Sequence, residues 1–508
     1  MQKVPYIALN ENGVPTLYVK EKPFLMLAGE LHNSAFSSLE FMEKEVWPYL
    51  DPLGLNTVIF PIAWENIEKE QGKFDFSLLK GLIDQARKHE KKVVLLWFGL
   101  WKNGESFYTP GWVKRDYKTY FRACYPGGIP SDTASPFCET AIEADKNAFC
   151  HLMKYLQEYD SEEQTVIMVQ VENEIGFLGA ERDFSEAAEE KYAEMVPESV
   201  NCQGVNWKTA FGEDAPETFM AFYYARAVEK IVSAGKEIYP IPMYVNAWLK
   251  QHPDRPGIYP SGGPVYTMLP VWKNTAPSLD FFSPDIYVAD FKKVCQQYSA
   301  DGNLLFIPEA RRDPVSASNV FWALGGANAI GFSPFAVEDY LKEDFMKVEE
   351  EMLQVLNIEA AGFCCQGTGP YLQQSYEILK GMLPQITKYR GTNAMKAFIR
   401  NTPNEKGTII PMENYDILLD YMQGKTGSAG IILCGENSFY IAGCNVKFQV
   451  LPQRASDQYV TVIRMEEGRF IAGKWESRRI LNGDELHEKD LGDMAEVKYV
   501  EICLHDGK

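Results

Sequence analysis

Basic residues are the scarce charge in this chain. Its 508 residues carry 70 acidic against 50 basic side chains, a net charge of −20. That balance argues against a nucleic acid or an anionic membrane surface as the main partner and leaves a neutral ligand open. Also missing is any apolar run long enough to span a bilayer, so no membrane partner is expected. Residues 1 to 10 show no sustained apolar core followed by a small-residue cleavage site, and the expectation from that is a cytoplasmic protein. The 10 cysteines are scattered, with neither a paired CxxC nor a Cys/His metal spacing. Free core thiols are therefore expected in place of a disulfide framework, and no metal or organic cofactor is predicted. There is no GxGxxG and no P-loop. Gly325-Gly326 and Ser261-Gly-Gly-Pro264 read instead as a helix terminus and a loop. Internal repeats and low-complexity segments are absent as well.

What is present is apolar and aromatic. With 46% hydrophobic and 13% aromatic residues, the chain can bury a large core, and its length fits two or three domains. One stretch organises it: Val166-Ile-Met-Val-Gln-Val-Glu-Asn-Glu-Ile-Gly176, an apolar run that ends in Glu172, Asn173 and Glu174. It predicts a buried parallel strand whose tip carries these three polar residues into a site. A second run answers it, Leu304-Leu-Phe-Ile-Pro-Glu-Ala-Arg311, which finishes on Glu309.

Six more strands of this kind are legible. They lie at Phe24–Leu31, Asn56–Trp64, Lys92–Trp101, Ile241–Trp248, Leu279–Tyr287 and Ala329–Phe335. Helical spacing separates several of them: Ser37–Leu50, with Phe41, Val46, Trp47 and Leu50 on one side, then Phe76–His89, Ala141–Tyr159 and Phe219–Gly235. Strands alternating with helices or long loops predict a parallel sheet, and eight of them predict an α/β fold, a closed (β/α)8 TIM barrel. Polar or aromatic residues gather where the apolar runs stop: Glu30 and His32, Trp64, Trp101 and Asn103, Asn246 and Trp248, Tyr287. Barrel enzymes build their sites at that end. Glu174 at the tip of strand four and Glu309 at the tip of strand seven would face each other across the mouth. Two facing carboxylates are the groups glycoside hydrolysis requires, one to protonate the leaving oxygen and one to attack the anomeric carbon or activate water. His32 reads equally as a sugar ligand or a structural histidine, and each tryptophan as a stacking platform or core packing.

These residues carry a resemblance. Val169-Gln-Val-Glu-Asn-Glu-Ile-Gly176, Gly29-Glu-Leu-His32 and the segment from Trp64 to Gly72-Lys-Phe-Asp-Phe76 resemble, in order and position, the motifs of the family 35 β-galactosidases, retaining barrel glycosidases. The resemblance covers most of residues 20 to 340. It implies Glu174 as acid/base, Glu309 as nucleophile, Asn173 on the sugar 2-hydroxyl, and Tyr287 holding the nucleophile. Glu172 competes with Glu174 for the place in the mouth, and family position favours Glu174. Departures occur at His32-Asn-Ser34 and at Trp97-Phe-Gly-Leu-Trp-Lys-Asn-Gly104. The implied partner is a carbohydrate, a β-galactoside or plant-type oligosaccharide. Another exo-β-glycosidase and a non-catalytic sugar-binding protein are the other readings, and a homo-oligomer stays open.

The acidic stretch from about Glu181 to Glu217 reads as solvated surface or as a wall of the mouth. Helical patterns at Asp344–Ala361 and Tyr376–Lys388 are expected to close the barrel, giving a catalytic unit over residues 1–390. From about Gly391, short alternating runs between Gly, Asn and Asp turns predict an all-β, sandwich-like unit over 391–508.

Overall fold

The structure is a computed structural model that describes residues 4–200, 204–250, 253–343, 360–423, 427–453 and 458–506. Its centre is a barrel of β1 (Met26–Glu30), β2 (Thr57–Ala63), β3 (Lys92–Lys102), β4 (Val166–Asn173), β5 (Met243–Trp248), β6 (Phe281–Ile286), β7 (Glu309–Ala310) and β8 (Gly331–Phe332). The eight strands are ordered β7-β6-β5-β4-β3-β2-β1-β8. A parallel bridge between Ile307 and Phe332 links the two edges. Every residue of β2 and β4 is buried, which is why both are near-continuous apolar runs and not alternations. The runs around β7 and β8 are longer in sequence than in the ladder, because Pro308 and Pro334 have no N–H to donate.

The helices follow their stripes. α1 (Ser77–Lys88) buries Leu79, Leu82, Ile83 and Ala86, the spacing of one helical face. α2 (Glu139–Asp160) buries Ile142, Phe149, Leu152 and Leu156, and Asp145 among them. α3 (Ala215–Ile238), α4 (Pro314–Gly325) and α5 (Gly369–Tyr389) complete the long helices used below.

The structure departs from the sequence reading at several elements. The helix expected over Ser37–Leu50 is broken by a π turn at Met42–Val46 just ahead of Pro48; the turn rotates Phe41 outward, to 45% exposure. The loop beyond Trp112 holds a hairpin of Arg122–Tyr125 with Ile129–Ala134. The acidic stretch is folded: it contains helices at Glu186–Ala193 and Trp207–Phe211, with Trp207 buried. Of the helix expected over Asp344–Ala361, residues 344–359 lie outside the described residues, and Ala360–Phe363 form a 3-10 turn.

Beyond α5 the strands turn antiparallel. Met395–Ile399, Ala429–Cys434, Ser438–Cys444, Glu496–Asp506, Gln458–Ile471 and Lys474–Leu481 make a six-stranded sheet, and Gly407–Pro411, Tyr415–Tyr421, Val446–Pro452 and Asp490–Leu491 a four-stranded one. Ile417, Leu419, Phe439, Phe448 and Val500 form a core of their own. Ile399, Ala429, Ile431, Leu433 and Phe470 belong to the barrel's core instead. The approach is tight, since a Cβ on Gly325 of α4 would stand 2.5 Å from Ile431. Arg390, fully buried at the junction, donates to the carbonyls of Ala329 at 2.7 Å, Asn328 at 2.6 Å and Pro15 at 3.2 Å. Burial pulls its pKa down to about 10. Every cysteine among the described residues is a free thiol. Among those residues no helix is long and apolar enough to cross a membrane.

Candidate active site

The backbone at the tip of β4 sorts its three polar residues. Glu172 and Glu174 both have left-handed φ, 63° and 45°, a conformation that non-glycine residues adopt at a cost and that collects at functional sites. Glu172 turns away behind β3, where Leu100 and Trp101 donate their N–H groups to it at 3.1 and 2.7 Å. Asn173 and Glu174 turn into the mouth.

There the carboxylate oxygens of Glu174, Asp285 and Glu309 lie within 4.8 Å of one another. Three donors converge on Glu309: the Tyr287 hydroxyl at 2.6 Å, Asn173 Nδ2 at 3.3 Å and Asn246 Nδ2 at 3.5 Å. Asn246 is the joint of the group. Its Nδ2 also donates to Asp285 at 2.7 Å, and its Oδ1 accepts the Glu174 N–H at 2.9 Å.

Burial, then the charge of Glu309, pushes the Glu174 pKa up to about 8. Asp285 is raised far above the usual carboxylate range by burial, then by the charges of Glu309 and Glu174, and it stands within hydrogen-bonding reach of Glu174. Glu30 is raised likewise, by burial and then Glu309. Burial and Glu309 also push the Tyr287 phenol up, so it remains a hydrogen-bond donor. The chemistry available is that of an acid held protonated at neutral pH beside a carboxylate ringed by donors.

The remaining sequence candidates sit as follows. Glu30 is fully buried, and neither carboxyl oxygen has a hydrogen-bond partner. His32 Nε2 lies 2.7 Å from Asp339, which also takes Arg312 at 2.7 Å, and its backbone N–H meets Glu338; this is a tethered histidine. Trp64 gives its indole N–H to Glu68 at 2.6 Å, and Trp101 gives its own to the Ala134 carbonyl at 3.0 Å. Both are wholly buried, which makes them packing rather than open platforms. Asn103 accepts from Lys102 Nζ at 2.6 Å. Trp248 is only partly buried at the end of β5.

Sequence reasoning missed Asp285, two residues before Tyr287 on the same strand face and hence visible by the period-two rule. It also missed Lys102, which reads as the start of a loop, and Asp145, a lone acid inside the apolar stripe of α2.

A closed eight-strand barrel with clustered acids at the tips of β4, β6 and β7 is the frame of a glycoside hydrolase. Residues 16–259 match Glycosyl hydrolases family 35, the family whose motifs the strand ends resemble. Residues 372–491 match a domain of unknown function, DUF5597. No curated protein matches the chain. Among solved structures, a β-galactosidase from Bacillus circulans sp. alkalophilus aligns at 10% identity over 94% of this chain and 99% of its own, TM-score 0.50. The catalytic domain of a β-amylase from Paenibacillus polymyxa aligns at 11% identity over 70% of this chain and 98% of its own, TM-score 0.50. A β-galactosidase from Rahnella sp. R3 aligns at 13% identity over 71% of this chain, TM-score 0.47, and the chain spans 56% of that protein's length. At these identities the likeness to the two structures at TM-score 0.50 is one of fold.

Proposed function

We propose that the protein is a retaining exo-β-galactosidase that releases galactose from non-reducing ends. In this reading Glu309 attacks the anomeric carbon while Glu174 passes its proton to the departing glycosidic oxygen, leaving a glycosyl ester on Glu309. Glu174, now a carboxylate, then takes a proton from water, whose oxygen displaces Glu309 with net retention. Tyr287 holds the Glu309 carboxylate, and Asn173 serves the sugar 2-hydroxyl. Residues 1–390 would form the catalytic unit and 391–508 the accessory one.

The observation that carries this reading is the spacing of Glu174 and Glu309, oxygens within 4.8 Å of each other. Retaining enzymes keep the pair about 5 to 5.5 Å apart, whereas inverting ones need roughly 6.5 to 9.5 Å to seat a water. Galactose is favoured by the family motifs, and the structure of like fold from Bacillus circulans sp. alkalophilus is a β-galactosidase. The test is a panel of aryl β-glycosides (galactoside, glucoside, mannoside, fucoside, galacturonide) given to wild type and to Glu309→Gly with azide. The expected result is a galactoside preference, lost in the variant and rescued as the α-galactosyl azide. Near-normal turnover by Glu309→Gly would remove the nucleophile assignment.

A further inference from the structure

β3 does not pair evenly with β4. Trp97 is opposite Val171 and Lys102 opposite Asn173, so β3 advances further than β4 between the two pairs and bulges outward. Two buried acids hold the bulge. Glu172 accepts the Leu100 and Trp101 N–H groups, while Asp145 accepts Leu100 N at 3.2 Å and Trp97 Nε1 at 2.8 Å. Both carboxyls are shifted upward, chiefly by burial, and lie close enough to share a proton. The turn that follows is tied to the tip of β4, with Asn103 N on Asn173 O at 3.1 Å and Gly104 N on Glu174 O at 3.2 Å.

What the bulge delivers is Lys102. Its side chain is nearly buried, and Nζ donates to Asn173 Oδ1 at 2.9 Å as well as to Asn103. An ammonium can only donate, so it fixes which end of the Asn173 carboxamide faces it. The oxygen is taken, and Nδ2 is left to donate to Glu309. Without Lys102 the carboxamide is free to turn over and present its oxygen to the Glu309 carboxylate, an acceptor facing an acceptor.

We propose that Lys102, carried on a bulge held by Asp145 and Glu172, is a positioning residue that orients Asn173 toward Glu309. The functional reading above enters only through the role given to Glu309. Lys102 also acts through its charge. The groups bearing on Glu174 are Glu309, Asp285 and Lys102, and only Lys102 lowers its pKa by charge; Lys102 acts the same way on Glu30, against Glu309, Glu174 and Glu338. Tyr244 and Tyr287 adjoin the same acids.

The experiment pairs crystal structures with kinetics for wild type, Lys102→Met and Lys102→Arg. In Lys102→Met the Asn173 amide nitrogen should leave hydrogen-bond distance of Glu309, kcat/KM should fall roughly 10- to 100-fold, the worth of a hydrogen bond to a charged group, and the alkaline limb should move to higher pH. Lys102→Arg, still a cationic donor, should restore the limb and most of the rate. Should Lys102→Met not fold, Lys102→Leu, equally without a donor, carries the same readouts. An Asn173 that keeps its contact with Glu309 in the neutral variant overturns the proposal, whatever happens to the rate. A wild type that cleaves no glycoside, with Asn173 displaced in the variant, overturns the glycosidase reading alone.

Discussion

At the scale of single residues, the site is an acid cluster whose members differ in what faces them. Glu174, pushed up to about 8, is protonated at neutral pH, so activity that needs it as an acid should hold through pH 7 and fall as pH passes about 8. A kcat/KM profile checks this, and an alkaline limb near 5 would remove Glu174 as the acid. Tyr287→Phe deletes the 2.6 Å bond to Glu309 and should lower kcat/KM roughly 10- to 100-fold with the fold unchanged. Glu30 gives a stability prediction. Its folded pKa lies well above that of the unfolded chain, so the native state retains a proton that the unfolded state releases, and stability falls as pH rises through that window. Glu30→Gln should therefore melt above wild type at pH 8, with the gap closing toward pH 4. Equal gaps at both would exclude a titration origin. The residues that an apolar run delivers to a strand tip were legible in sequence: Glu174, Asn173, Glu309, Asn246 and Tyr287 all meet in the mouth. Lys102 was not, because a bulge shifts register without leaving a mark in the pattern. Glu172 was sorted from Glu174 by family position, and the structure supplies the physical cause, two left-handed residues and a bulge for Glu172 to fill.

Elements were read best where burial alone decides them. The eight barrel strands stand in their expected order because parallel strands buried on both faces must be apolar throughout. The hairpin beyond Trp112 and the folded acidic stretch escaped because their strands and helices are short, polar outside and stabilised by contacts distant in sequence. Gly99 lies within the bulge of β3. A Cβ there would stand 2.5 Å from Trp97 Nε1 and 2.6 Å from both Asp145 Oδ2 and Glu172 Oε1. Gly99→Ala should cost about 1–3 kcal/mol, the usual range for overpacking, read by denaturant unfolding, and should lower activity through Lys102. A neutral result on both would mean that the acids are not fixed in place.

At the scale of the whole molecule, the alternating runs after residue 390 indicated the antiparallel sheets, but not which of their side chains the barrel's core takes in, since packing between distant surfaces has no local period. Ile431 and Phe470 lie in the same core as the barrel's strands and helices. Deleting residues 391–508 should accordingly yield insoluble or partly unfolded protein, scored by solubility and circular dichroism. A truncated chain that stays soluble and melts cooperatively near wild type would show the two cores to be independent. The buried guanidinium of Arg390 bears on how the chain matures. It grips the carbonyl of Pro15, 375 residues earlier, and Asn12 donates back to the Arg390 carbonyl at 2.9 Å. On a ribosome adding about 5–20 residues per second, the pair of strands Tyr6–Leu9 and Pro15–Val19 waits roughly 20–75 s for the residue that fastens it. For that interval the nascent chain has its first strands and lacks the contact that joins its opening residues to the end of α5.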